Sequence, residues 1–224
     1  MSYFKKHIPL FVALLFHISG LIGILCTPYK VFFVNSTPVV LLTMFLLLSS
    51  TEKKVAQDYF IFFVISFIIG LTTEIIGVNT GLLFGDYQYG SVLGPKLFGV
   101  PLLIGLNWFI IVFCSGSVCS QGLNFLQKKF DVNVSSSVFK IGVVIGGAAI
   151  ATCFDIILEP AAVKLQFWSW ENGHIPLFNY ICWFSISVIL LSVKMYFSKL
   201  IAQPFSIALL SIQAVFFLVL NLFL

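Results

Sequence analysis

The sequence predicts an all-α polytopic membrane bundle of about seven transmembrane helices, with the N-terminus cytoplasmic and the C-terminus outside. Three observations predict it. First, 60% of the 224 residues are hydrophobic and only 9% are charged, whereas a soluble domain carries about 25% charged residues. Such a chain cannot cover its core with a solvated surface, so lipid must be the solvent for much of it. Second, the apolar residues fall into seven runs, each near the roughly 20 residues that a spanning helix needs. Third, the lysines sort by side. With the N-terminus inside, nine of twelve fall in cytoplasmic segments (Lys5, Lys6, Lys53, Lys54, Lys128, Lys129, Lys140, Lys194, Lys199), and only Lys30, Lys96 and Lys164 fall outside. This is the asymmetry of the positive-inside rule.

The first run, Ile8 to Cys26, follows two lysines as a signal peptide would. It is long enough to span and no A-x-A-like site follows, so it reads as a retained helix. The second, Val31 to Ser50, contains Pro38, which bends it. The third covers Tyr59 to Gly77. The fourth, Val100 to Cys119, begins beside Pro101, a favourable first-turn residue. The fifth, Lys140 to Leu158, carries a ridge of Gly142, Gly146 and Gly147 that lets another helix approach closely. Asn179 to Phe197 and Pro204 to Leu224 complete the set. No hydrophilic stretch is long enough to fold separately, so residues 1–224 read as one integral membrane domain.

Two outer connections differ from solvated loops. Gly77 to Gly99 has six glycines yet stays apolar, and Ala161 to Phe178 holds Trp168 and Trp170. Both can lie in the interface or fold back over the bundle, where protein must satisfy their backbone.

Composition excludes several classes. Twelve lysines without one arginine argue against nucleic acid as a partner. Five scattered cysteines form no C-x-x-C pair, so neither a zinc site nor a disulfide framework is signalled. Seven helices suggest a retinal protein, but the last run contains no lysine for a Schiff base. No internal repeat favours a transporter.

The acids carry the functional signal. Glu52, Asp58 and Asp131 belong to inner loops, whereas Glu74, Asp86, Asp155, Glu159 and Glu171 all map to the outer side. Asp155 and Glu159 are four apart and share one helix face. Glu74 lies at a similar depth on another helix, so three carboxyls can converge. Ionised carboxylates are costly in lipid, and like charges on one face repel. The cheaper arrangement keeps at least one carboxyl protonated, and a neutral carboxylic acid in a dry pocket can act as a general acid. His17, in mid-span, can bond a neighbouring helix or relay protons. Asn107 can bond across helices in the same way, and Asp86 is a weaker candidate for relaying protons or positioning water.

Two stretches carry a resemblance. One runs from Glu74 through GVNTGLLFGDYQY and LGPKLFGVPLLIGLNW to Trp108. The other is Asp155-Ile-Ile-Leu-Glu-Pro-Ala-Ala, then Phe167-Trp-Ser-Trp, Gly173, Pro176, Asn179 and Trp183-Phe184. Together, over residues 74–184, they resemble the membrane carotenoid-biosynthesis protein family, which includes hydratases acting on acyclic ends of γ-carotene or bisanhydrobacterioruberin. The pattern departs at Glu159, where the family often has Asp before the proline; the carboxyl is kept.

The resemblance implies a cofactor-free, metal-free hydratase in the plasma (inner) membrane that adds water to the terminal double bond of an acyclic carotenoid, leaving a tertiary alcohol. Its partners would be the carotenoid, water, membrane lipid and other carotenoid-pathway enzymes. Glu74, Asp155 or Glu159 would supply the proton, and a second carboxylate would position water. Tyr87, Tyr89, Trp168 and Trp170 would offer π-faces to the carbocation, with Asn107, Trp108 and Asn179 as further substrate-binding residues. A carotenoid cyclase or isomerase would use the same protonation step, and a carotenoid-binding or transport protein would return its ligand unchanged.

Overall fold

The computed structural model describes residues 3–51, 56–171, 173–197 and 204–224. Glu52, Lys53, Lys54 and Lys199 lie outside the described residues. The chain builds a helical bundle with two small strand pairs. Its elements in order are α1 (Tyr3–Cys26), α2 (Lys30–Asn35), α3 (Thr37–Thr51), α4 (Ala56–Thr80), β1 (Tyr87–Tyr89), β2 (Lys96–Leu97), β3 (Val100–Pro101), α5 (Leu103–Phe130), α6 (Ser136–Lys164), β4 (Trp168–Trp170), α7 (Leu177–Phe197) and α8 (Pro204–Phe223).

Six of these helices, α1 and α4 to α8, are long and apolar enough to cross a membrane. The second apolar run is a broken helix, α2 followed by the fifteen-residue α3. Ser36 sits at the break, and its N–H bonds the carbonyls of Phe32 and Phe33. Pro38, in the first turn of α3, has no N–H to give. The bend read at Pro38 is a one-residue break at Ser36, which keeps right-handed helical dihedrals and a helical bond on each side.

Helix α5 is the hub. Of its spanning stretch 78% is buried, against 28–44% for the other five. Those five present Phe11, Phe60, Ile141, Ile189 and Leu222 outward, as lipid-facing helices do. The glycine ridge of α6 lies against α5 and α7. A Cβ on Gly147 would come within 2.7 Å of Leu191 and 3.1 Å of the Gly116 backbone, and one on Gly146 within 2.5 Å of the Cys119 sulfur.

Two helices run past their sequence boundaries. Helix α5 continues to Phe130, ending where Asp131 adopts a left-handed φ of 50°. Helix α6 passes straight through Pro160 to Lys164. A proline there leaves one carbonyl without its helical donor. Next to it, Asn221 of α8 donates to the Ile157 carbonyl at 2.6 Å, the kind of neighbour-helix support that tolerates proline in lipid.

At one end of the bundle the two unusual connections fold back and pair. Strand β1 runs antiparallel to β4, with Tyr87 opposite Trp170, Gln88 opposite Ser169 and Tyr89 opposite Trp168. The period-two alternation of a strand turns the four aromatic side chains inward and leaves Gln88 and Ser169 exposed. The pair continues to Gly90, whose N–H donates to the Phe167 carbonyl at 2.9 Å. A Cβ at Gly90 would collide with the Gln166 carbonyl oxygen. Only glycine lets the two chains approach there. Lys128, Lys129, Lys140 and Lys194 gather at the other end of the helices.

Candidate active site

The strand pair roofs a small cavity sunk between α4, α5, α6 and α7. Glu74 lies six residues before the end of α4, about 9 Å down its axis at 1.5 Å per residue. Asp155 and Glu159 occupy the inward face of α6 and are buried. All three carboxyls line the same cavity.

Each carboxyl is held by uncharged donors. Glu74 accepts from the Tyr87 hydroxyl, from the Tyr89 hydroxyl at 2.7 Å and from the Trp108 indole at 2.9 Å. Glu159 accepts from the Trp168 and Trp170 indoles at 2.9 and 3.1 Å, both on Oε2. The Asn179 amide nitrogen bridges the α6 pair, 2.8 Å from Asp155 Oδ2 and 3.4 Å from Glu159 Oε1. Asp155 thus accepts one bond where Glu74 and Glu159 accept three each.

Local structure explains the placement of these donors. Gly70 and Glu74 share one face of α4, one turn apart. A Cβ on Gly70 would lie 2.5 Å from Cγ of Trp108. The bare backbone at Gly70 is what lets the indole lie flat against α4 and reach Glu74. On its far side Trp108 stacks on Trp183 at 3.8 Å and 12°, which fixes the ring. In the roof, Tyr87 packs on Trp170 at 5.1 Å and Tyr89 on Trp168 at 5.8 Å, cross-strand pairs of the stabilising kind. Burial, and then the neighbouring Glu74 charge, push both phenols well above the ordinary tyrosine range. They are therefore proton donors to the carboxylate throughout the physiological range. Lys96 bonds the Tyr89 carbonyl at 2.5 Å, tying β2 to the roof.

The cavity has a volume of about 20 Å³, and about 10–15 Å³ suffices for one water. Ten residues singled out from the sequence line it: Glu74, Asp155 and Glu159, then Tyr87, Tyr89, Asn107, Trp108, Trp168, Trp170 and Asn179. Two others do not. Asp86 is exposed, and its carbonyl serves the roof by accepting from the Glu171 N–H at 3.0 Å. His17 lines a separate cavity, its Nδ1 2.7 Å from the Ala13 carbonyl and its ring edge-on to Phe216. Neither is placed to relay a proton to the carboxyls.

The sequence reading missed Phe84, Ile104, Leu158 and Trp183 as lining residues. All four tryptophans of the chain stand around this cavity. One signal for the roof was present: Tyr-Gln-Tyr and Trp-Ser-Trp each alternate aromatic and polar, as half-buried strands do. Among the described residues no group of three His, Cys, Asp or Glu could hold a metal ion.

A polytopic membrane protein with three buried carboxyls under an aromatic roof is the class that fold and site define. The chain belongs to the carotenoid biosynthesis protein family, whose profile matches residues 33–224. It is 29% identical over 124 residues to a bisanhydrobacterioruberin hydratase of Haloarcula japonica, an alignment covering 52% of this chain and 39% of that protein. No solved structure matches the chain.

Proposed function

We propose that the protein is a carotenoid hydratase, adding water to the terminal double bond of an acyclic carotenoid end group. The observation that carries this reading is the water-sized cavity bounded by Glu74, Asp155 and Glu159 and walled by aromatic rings. Family membership and the hydratase relative support the substrate class.

The reaction is a proton transfer followed by water capture. A carboxylate has about four lone-pair positions on its two oxygens, and Glu74 and Glu159 each have three engaged and one, on Oε1, open. Asp155, with one donor, has the most room for a proton. Asp155 therefore donates to the less substituted alkene carbon, and the π electrons form the new C–H bond. The tertiary cation left behind faces the rings of Tyr87, Trp168 and Trp170, whose π-faces stabilise it. The negative charge of the carboxylates adds to this. Water in the cavity forms the C–O bond, and its surplus proton passes to the Asp155–Glu159 pair. One proton leaves the pair and one returns, so no cofactor is consumed. Both roof tyrosines stay bonded to Glu74, which fixes the roof over the reacting carbon.

The chain acts as one integral membrane domain. Its lysine distribution supports a cytoplasmic N-terminus and a roofed site toward the outer leaflet of the plasma membrane. Other carotenoid-pathway enzymes would supply the acyclic substrate. Expression in a host accumulating lycopene or γ-carotene, with mass analysis of the pigments, tests the reading. A product heavier by one water is expected. A cyclase or isomerase would give a new pigment of unchanged mass, and unchanged pigments beside a folded protein would refute the proposal.

A further inference from the structure

Two more cavities continue from the carboxyl site. A cavity of about 60 Å³ shares Ile104, Asn107, Leu158 and Trp168 with it as common wall. A third, of about 90 Å³, shares Thr37, Leu41, Phe167 and Phe217 with the second. The three therefore form a row from the roof to the gap between α1, α3 and α8. The far cavity reaches the bundle surface, because Phe16, Gly20, Phe33 and Val40 along its walls are only partly buried. It opens beside the α2–α3 interruption, where Phe33 and Thr37 stand on either side of Ser36.

Two polar side chains on the route are bonded to backbone carbonyls of the preceding turn. His17 is engaged with Ala13 of its own helix, and the Thr37 hydroxyl donates to the Val34 carbonyl at 2.7 Å. Asn107 differs. It stands on the wall between the carboxyl cavity and the second one, and among the described residues its side-chain amide makes no hydrogen bond. A row that is apolar along its length and polar only at its inner threshold suits a hydrocarbon whose tip alone reacts.

We propose that this row is the binding gallery for the acyclic isoprenoid chain of the substrate, entered sideways from the bilayer between α1, the α2–α3 break and α8, with Asn107 marking the threshold where the end group meets the carboxyls. The inference rests on the reading of the site as one that acts on carotenoid end groups. The mouth lies beside the turn at Ser36 that separates α2 from α3. The gallery gives the roof a purpose, since a substrate arriving from the side needs no opening toward water. Phe167 and Phe217 line the junction between the outer two cavities and are the rings that must rotate to pass the chain.

The four tryptophans surround the inner end of the gallery, so their fluorescence reports its occupancy without requiring turnover. The test uses the full-length protein in lipid nanodiscs, titrated with lycopene, with pigment mass measured separately. Thr37→Phe and Gly20→Leu narrow the gallery, and Leu42→Phe, on the exposed lipid face of α3, is the control. The wild type and the control should show saturable quenching. Either narrowing variant should weaken lycopene binding about tenfold or more, the effect of roughly 1.4 kcal/mol, at an unchanged melting temperature. Having two variants guards against one that fails to fold. Quenching by both narrowed variants equal to wild type, or no saturable quenching by the wild type, would overturn the gallery. Quenching that behaves as expected while lycopene gains no water would leave the gallery standing and remove the hydratase reading.

Discussion

The two sides of the cavity hold their carboxyls differently. On the α4 side Glu74 is enclosed by Tyr87, Tyr89 and Trp108, and the bare backbone of Gly70 together with Trp183 fixes the indole. On the α6 side two carboxyls share one amide, and Asp155 has that bond alone. The difference separates architecture from chemistry. A carboxylate engaged by three donors orders the roof. A carboxyl with a lightly engaged oxygen beside a second carboxyl can give up and recover a proton.

The largest effect should come from the lightly held side. Asp155→Asn keeps the shape and one acceptor but has no acidic proton, and hydration should fall by about 10²–10⁴-fold, the usual worth of general acid catalysis. Lycopene binding by tryptophan quenching should be unchanged. Equal losses in binding and turnover would move Asp155 to a structural role. Glu159→Gln should cost less, on the order of 10²-fold, because Asp155 still donates and only the recovery of the proton is impaired.

Smaller effects belong to the enclosed side, and they should appear first in stability. Glu74→Gln places an NH₂ donor among three donors, and leaving one of them unsatisfied costs about 1–3 kcal/mol. The melting temperature should drop, while turnover per folded molecule should fall far less than in Asp155→Asn. The reverse ranking would exchange the two roles. Tyr89→Phe removes one donor of three and should cost about 1 kcal/mol.

The weakest signature is a pH dependence. Burial and the Glu74 charge hold Tyr87 and Tyr89 above the ordinary value of 10.0. The folded protein thus keeps protons that the unfolded chain releases. Their stabilising contribution is complete below that value and is lost as the pH rises beyond it. Melting curves at increasing alkalinity should show a steeper decline for wild type than for the Tyr87→Phe/Tyr89→Phe double variant. Parallel declines would mean the phenols titrate normally.

Much of this arrangement was legible in the chain. Apolar run length located every long helix, because in lipid a helix must satisfy its own backbone and be long enough to cross. The four-residue spacing put Asp155 and Glu159 on one face, and the scarcity of acids made Glu74 stand out. Other features depend on distant partners. Pro160 looks like a helix end until Asn221, from a helix some sixty residues later, supports the carbonyl beside the gap. The β1–β4 pairing joins Tyr87 to Trp170 across the whole of α5 and α6, and no local pattern announces such a register. His17 reads from the sequence as a bond to a neighbouring helix or, because histidine titrates near neutral pH, as a proton relay. The Ala13 carbonyl satisfies it within its own helix, so its presence needs no proton path. Asp86 was read by charge alone, whereas the strand alternation carries it to the outside of the roof.

The most direct test of the central claim is to incubate the protein with lycopene in water enriched in heavy oxygen and weigh the product. The wild type should give a tertiary alcohol with one heavy oxygen and Asp155→Asn about 10²–10⁴-fold less of it, with lycopene bound by both. Label entering equally with Asp155→Asn, or a converted pigment that carries no solvent oxygen, would contradict it.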